Sequence, residues 1–146
     1  MKQLLLLVTI IGVSLFSCNR TNSTNPNPAL LDGKWRMITV TENISGSSST
    51  KPSTIPGDVD IHFTSVSTGN GIFNGNTPSN QIEQSTYSTG TNQSLVIPEL
   101  NMTKITETSW GNEFVDNIRS SQSYSFETDG RLNIKTANKI LTFRKL

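Results

Sequence analysis

The chain has 146 residues, of which 12 are basic and 11 acidic, and it contains one histidine and one cysteine. This nearly neutral balance excludes a polybasic surface for nucleic acid, and the length allows one domain rather than two. A single cysteine excludes an internal disulfide and a thiolate metal cluster.

Residues 1–17 have the pattern of a secretory signal peptide. Lys2 supplies the positive charge at the start, and an apolar run follows over residues 4–16. This run is shorter than the roughly 20 apolar residues that a membrane-spanning helix requires. We therefore predict that the segment is removed rather than kept as a spanning anchor.

The end of this segment resembles the bacterial lipobox, in which a small residue precedes a cysteine. Leu15, Phe16 and Ser17 lead to Cys18. The resemblance implies that Cys18 is acylated, that the chain is cut before it, and that the mature protein is anchored to a membrane, which two or more acyl chains do stably. Residues 19–22 carry no acidic side chain, which by the same resemblance favours the outer membrane, facing the periplasm. An ordinary secreted protein is the alternative.

Residues 18–29 are predicted to be a lipidated, disordered tether. The segment consists largely of Asn, Thr and Ser with Pro26 and Pro28, so it has little apolar surface to bury. Eleven flexible residues have a mean reach of roughly 18 Å. One domain then covers residues 30–146.

The domain opens with a predicted strand after the Asp32-Gly33 turn. Alternation divides this strand into one face with Trp35 and Met37 and another with Arg36, Ile38 and Val40. We expect Trp35 to lie in the core and to close one end of the sheet. The serine-rich residues 43–57 predict a long loop.

Residues 58–64 show the clearest strand pattern in the chain, because Val59, Ile61 and Phe63 alternate with polar residues. The pattern then predicts a hairpin turn at residues 69–71, a return strand from Ile72, a turn at residues 74–78, and strands at residues 82–87 and 95–97.

The C-terminal half predicts one helix and a three-strand meander. Trp110, Phe114 and Ile118 recur at helical spacing, which indicates a helix over about residues 110–119 whose apolar stripe packs on a sheet. The meander follows from three apolar pairs separated by turn residues, namely Tyr124 with Phe126, Leu132 with Ile134, and Leu141 with Phe143. We therefore predict an α+β, mostly β domain, with a small antiparallel sheet or partial barrel and one short helix packed on it.

Short motifs make residues 30–146 resemble the META domain family, as found in HslJ-like heat-shock lipoproteins. The motifs are Leu31-Asp32-Gly33-Lys34-Trp35, Gly69-Asn70, Met102-Thr103-Lys104, Glu113-Phe114 and residues 124–143. The resemblance implies an envelope protein linked to stress and antibiotic tolerance, without an established activity. Many members have cysteines near the Gly-Asn and Met-Thr motifs, and this chain has none there, so a redox role is not inherited.

A second resemblance is to short lipocalin-like lipoproteins, which open with a Gly-x-Trp strand and end in a strand like residues 141–144. Here Gly33 and Trp35 match the opening, but such proteins lack a helix at residues 110–119. The main hypothesis is thus a non-enzymatic envelope lipoprotein serving protein interaction or stress tolerance. The alternative is a lipocalin-like binder of an apolar small molecule.

Asp58, Asp60 and His62 would share one strand face, which is the strongest candidate for chemistry in the sequence. Such a set can form a divalent-metal site or an acid–base cluster. Period-two polarity is also what any half-exposed strand shows. We favour a solvated outer face and predict no catalytic residues, no metal site and no cofactor.

The predicted helix carries further polar and aromatic candidates near its start. Glu107, Glu113 and Asp116 are interpreted as complements to the helix dipole rather than as catalysts. Trp110 can be a contact for a ligand or partner, although a stripe residue at helical spacing is more often core. Thr108 or Ser109 is expected to cap the helix.

Overall fold

A computed structural model describes residues 31–146, so the predicted signal peptide, Cys18 and the tether lie outside the described residues. The described chain contains nine strands and one α-helix. In chain order they are β1 (Gly33–Glu42), β2 (Ser48–Thr50), β3 (Asp60–Ser67), β4 (Asn70–Asn76), β5 (Gln81–Thr89), β6 (Leu95–Val96), α1 (Ser109–Ile118), β7 (Ser121–Phe126), β8 (Leu132–Thr136) and β9 (Lys139–Lys145), with a short 3-10 turn at Thr91–Gln93.

The strands form one antiparallel sheet that closes almost completely into a barrel. Its order is β6-β5-β4-β3-β1-β9-β8-β7, and β2 is a short extra strand on β1. A bridge between Ser94 and Ser123 links the two ends of this order. Apart from β2, each strand therefore neighbours the strands before and after it in the chain, and β1 pairs with β9. The prediction of a mostly β, antiparallel fold with one helix is confirmed.

The faces of β1 differ from the prediction. Trp35 and Met37 are buried as expected, but Val40 is buried as well and Ile38 is not. The pairing of β1 with β9 shifts between Met37 and Thr39, which is the sign of a β-bulge. Because a bulge adds one residue to one strand, it reverses the alternation after it. The prediction that Val40 shares a face with Arg36 and Ile38 was wrong for this reason.

Two predicted irregular segments contain strand. Within residues 43–57, β2 pairs with residues 39–41 of β1, and the hydroxyls of Thr41 and Ser48 lie 2.8 Å apart. The turn predicted at residues 74–78 begins later, because β4 continues to Asn76. Gly75 permits this, since a Cβ at that position would collide with the backbone carbonyl of Asp60 on the neighbouring strand.

The helix α1 covers one end of the barrel. Its apolar stripe of Trp110, Phe114 and Ile118 is buried, and the Phe114 ring meets the Phe143 ring edge-on at 6.5 Å. Thr108 caps the helix by accepting a hydrogen bond from the Gly111 N–H at 3.1 Å. The predicted helix, its cap and its packing on the sheet are thus confirmed.

The two ends of the barrel are distinguished by the elements that meet there. We call the end where β1 begins, at Gly33, and β9 ends, at Lys145, the entry end. The opposite end, where Glu42 pairs with Lys139, is the helix end. There the Lys139 ammonium is 2.6 Å from Glu113 of α1 and 3.1 Å from Glu42. The Glu113 hydrogen bond is the main reason that the pKa of Lys139 is raised.

One hydrophobic core occupies the interior between these ends. Its aromatic members are Trp35, Phe63, Phe73, Tyr87, Trp110, Phe114, Tyr124 and Phe143. Full burial of each large apolar side chain stabilises the fold by roughly 1.5–3 kcal/mol before the entropy of ordering is counted. The Trp35 indole N–H also donates to the Leu31 carbonyl at 2.7 Å, so Trp35 is a core residue as predicted.

Candidate functional site

The polar strip predicted on β3 is an ion-pair network on the outer wall. Arg36 contacts both oxygens of Asp60 at 2.7 Å and one oxygen of Asp58 at 2.8 Å. Lys51 is 2.8 Å from the other oxygen of Asp58, and its hydrogen bond, more than the charge of Arg36, lowers the pKa of Asp58. The His62 side chain is exposed and makes no hydrogen bond or ion pair with this network. Both carboxylates are therefore occupied by cations, which supports the interpretation as a solvated outer face.

No group of three or more potential metal ligands from His, Cys, Asp and Glu comes together within residues 31–146. The structure brings Asp58 and Asp60 together through Arg36, whereas His62 is paired in register with Lys34 and Asn74. Asp58, Asp60 and His62 therefore do not form one site.

A second polar cluster, which we call the Asn80 latch, consists of Thr77, Asn80, Thr103 and Glu107. Asn80 is only 3% exposed; its side-chain oxygen accepts from the Ile105 N–H at 2.8 Å and from the Thr103 hydroxyl at 3.0 Å. Its amide nitrogen donates to Glu107 at 2.9 Å and to the Ile105 carbonyl at 2.9 Å. The latch ties the β4–β5 turn to the segment that leads into α1.

The carboxylate of Glu107 is held by several donors. Burial alone would raise its pKa, but hydrogen bonds from Thr77, Asn80 and the Thr108 N–H outweigh that effect and lower it. The helix itself has no acidic residue in its first turn. The dipole interpretation was therefore wrong for Glu113 and Asp116: Glu113 binds Lys139, and Asp116 is an exposed residue farther along the helix.

Trp110 is 2% exposed and belongs to the core, so the core interpretation of this residue is supported. One side of it also lines a small cleft of about 190 Å³ beside Thr50 and Pro52 of the loop around β2. Its indole N–H is buried without a hydrogen-bond partner among the described residues. A cleft this small and shallow is a minor feature of the helix end.

Two tyrosines place hydroxyl groups inside the barrel. The Tyr87 hydroxyl is 3.4 Å from the Ser65 hydroxyl, which in turn donates to Asp32 at 2.8 Å. Tyr124 is 2% exposed, and its hydroxyl has no partner among residues 31–146. Burial is the main reason that the pKa values of both tyrosines are raised. Buried hydroxyls are usually hydrogen-bonded, so the unpaired hydroxyl of Tyr124 is an exception within this core.

An apolar groove of about 410 Å³ lies on the outer wall across β3 to β6. We call it the wall groove, and its apolar lining is Val66, Ile72, Val96 and Pro98. Val66 is 69% exposed and Val96 is 51% exposed. This groove was not predicted from the sequence. The available signal was the run of three apolar residues at 95–97, because an alternating strand must turn one of them outward.

The described residues include no helix with both the length and the apolar character needed to cross a bilayer.

The fold of the chain is similar to that of a solved structure. No family model and no curated protein matches the chain. Among solved structures, the chain is similar to the NMR structure of a protein from Burkholderia xenovorans, with a TM-score of 0.55 and 18% identity, over 82% of this chain and 88% of that one. At this identity the likeness shows the fold alone.

Proposed function

We propose that the chain is a non-enzymatic lipoprotein of the bacterial envelope whose barrel domain works by binding at its outer surface. The observation that carries this proposal is the distribution of apolar side chains. The aromatic core occupies the interior, while a further apolar surface, the wall groove, lies on the outside. Exposed apolar side chains gathered in one groove are a candidate contact for a protein or a membrane.

The envelope location depends on acylation of Cys18, which is supported by the signal-like residues 1–17 and the lipobox resemblance. Cys18→Ala should abolish labelling by fatty acid and release the protein from the membrane fraction. Asn22→Ala, which leaves the lipobox intact, serves as the matched control and should be labelled like the wild type. Equal labelling and equal membrane retention of the Cys18→Ala protein would remove the lipid anchor. Separation of inner and outer membranes then tests the expected outer-membrane location.

Membership of the META domain family, with a role in envelope stress tolerance, stays part of this proposal. Residues of two of the family's motifs take part in the structure of the domain. Met102 forms a β-bridge with Ile82 of β5, and Phe114 packs from α1 into the core. The test is a strain that lacks the gene, challenged with heat and with membrane-active antibiotics. We expect sensitivity that the wild-type gene restores and the Cys18→Ala gene does not. Unchanged tolerance would remove the stress role.

A lipocalin-like binder of an apolar small molecule is the second candidate function. A barrel-like antiparallel sheet is compatible with a lipocalin-like fold, and the unpaired Tyr124 hydroxyl favours an internal contact. Native mass spectrometry of residues 19–146, exported to the periplasm behind an ordinary cleavable signal peptide, separates the two candidates. A stoichiometric small molecule that is lost on denaturation, and weakened by Tyr124→Phe, supports the internal binder. A bare mass supports binding at the outer surface.

A further inference from the structure

We propose that the wall groove lies against the lipid surface to which the chain is anchored, so that the barrel is tilted with its entry end nearer the membrane than its helix end. The occupant of the groove is thus a bilayer surface rather than a protein. The inference rests on the lipid anchor in the proposed function, and it adds an orientation and a contact surface to it.

The point at which the described chain begins supports this orientation. The carboxylate of Asp32 accepts hydrogen bonds from both the backbone N–H and the hydroxyl of Ser65, each at 2.8 Å. Ser65 immediately precedes Val66 of the wall groove, and Leu31 is fully buried. Residues 31 and 32 are therefore fixed to the barrel directly beside the groove.

The length of chain before this point limits how far the domain can move from its lipid. Residues 19–30 separate Cys18 from Leu31, and twelve residues span at most about 40 Å even when fully extended. Because this segment joins the entry end, that end stays closer to the bilayer than the helix end does. A tether also raises the effective concentration of the groove at the surface, so a contact that is weak by itself becomes populated.

The lining of the groove suits a lipid surface. Its outer residues are apolar, Val66, Ile72, Val96 and Pro98, and the rest of its lining is uncharged. An uncharged lining avoids the cost of moving charges out of water. Farther along the same wall, Arg36 and its partners form a charged, hydrated surface. The groove can thus approach lipid at a smaller desolvation cost than this charged part of the wall.

Large apolar residues at the opposite end provide matched controls. Ile44 is 101% exposed at the tip of the β1–β2 turn, and Ile105 is 62% exposed in the segment before α1. Ile44 is held at the helix end, because the neighbouring Asn43 N–H donates to the Asn138 carbonyl at 2.9 Å. Both residues are apolar and exposed like Val66 and Val96, but they lie on the side that should face away from the membrane.

The experiment uses the full-length acylated protein in vesicles of phosphatidylethanolamine and phosphatidylglycerol that contain doxyl-labelled lipid. Cys18 is the only cysteine of the chain and is blocked by acylation, so one introduced cysteine takes one environment-sensitive dye. The dye is placed at Val66→Cys, Val96→Cys, Ile44→Cys or Ile105→Cys. We expect a blue-shifted emission and quenching by the doxyl lipid at positions 66 and 96, and neither effect at positions 44 and 105.

A charged substitution gives a second, independent readout. Val66→Asp should abolish the blue shift of a dye at position 96 while the midpoint of thermal unfolding stays unchanged, since Val66 is exposed. Absence of quenching at positions 66 and 96, or equal quenching at all four positions, in protein that floats with the vesicles would overturn the docking and leave the anchor intact. Protein that fails to float would instead overturn the anchor. A blue shift at position 66 that appears without vesicles would assign the groove to a second copy or another protein and would overturn the proposal.

Discussion

The ion-pair network around Arg36 and the Asn80 latch are both polar, but they differ in burial and in what they connect. In the network, Arg36, Asp58 and Asp60 have side chains that are 25–30% exposed, so water competes with every contact. In the latch, Asn80 is 3% exposed and each of its bonds replaces water inside the protein. We therefore expect the conspicuous charge pattern to contribute little to stability, whereas an inconspicuous amide holds two parts of the fold together.

The largest effect should come from removing the latch amide. Asn80→Ala leaves the Ile105 N–H and part of the Glu107 carboxylate without a buried partner, which should lower the free energy of unfolding by about 3 kcal/mol. Urea denaturation measures this loss. Asn70→Ala, at an exposed position whose only side-chain bond is a long one of 3.4 Å, should change stability by less than about 0.5 kcal/mol. Similar losses in the two variants would contradict the comparison.

The acid in the latch should make stability depend on pH. The pKa of Glu107 is lowered in the fold from its ordinary value of 4.5. Its contribution is therefore fully present above pH 4.5 and is lost as the pH falls through the lower, folded-state pKa. Glu107→Gln removes the charge, so the stability difference between wild type and variant should be largest at neutral pH and narrow on acidification.

Free energies of unfolding measured at several pH values between 7 and 3 test this sign. Glu99→Gln, the same substitution at an exposed glutamate, is the matched control. A difference between wild type and Glu107→Gln that grows at low pH would mean that the latch does not hold the charged carboxylate.

Breaking the ion-pair network should have a smaller effect. Arg36→Met removes the contacts to Asp58 and Asp60 but keeps much of the aliphatic side chain, and surface ion pairs that water still reaches contribute about 1 kcal/mol or less. The loss, measured by urea denaturation, should shrink at high sodium chloride because salt screens exposed charges. A loss as large as that of Asn80→Ala, or one that salt does not reduce, would show that the network is more than a solvated surface.

The smallest effect is expected at the only histidine. His62→Ala should change the free energy of unfolding by less than about 0.5 kcal/mol, because the side chain is exposed. Added zinc should leave the thermal midpoints of the wild type and of His62→Ala equally unaffected. A zinc-dependent rise in the wild type alone would restore the metal interpretation of the strip with Asp58 and Asp60.

Much of the fold could be predicted because local patterns and tertiary burial agree. Periodic patterns indicate which side of each element faces the core. Examples are the alternation of Val59, Ile61 and Phe63, the helical spacing of α1 and the spacing of the turns in the meander. The prediction was wrong where one residue breaks a pattern. The bulge after Met37 moves Val40 inward, and nothing in the composition of β1 marks that extra residue.

The sites were harder to predict than the elements. Asn80 and Glu107 are far apart in the sequence and follow no periodicity, so only the folded turn brings the amide to the carboxylate. The wall groove likewise depends on the pairing of β5 with β6, which places Val96 beside Ser88 on the same surface as Val66. Asp58 and Asp60 were candidates because they alternate along a predicted strand, but Arg36 on the neighbouring strand binds both of them in an ion-pair network.

The pairing of β1 with β9 also sets how this protein must fold. Trp35 lies opposite Lys145, so the first and last described strands become neighbours although nearly the whole domain separates them in sequence. Closing so long a loop carries its entropic cost before the contact stabilises anything, which slows folding. During synthesis, the β1 edge that carries Trp35 and Met37 stays unpaired until β9 has been made. The barrel therefore cannot close until β9 has been synthesised. A nascent chain without β9 has an unpaired β1 edge, which is prone to aggregation.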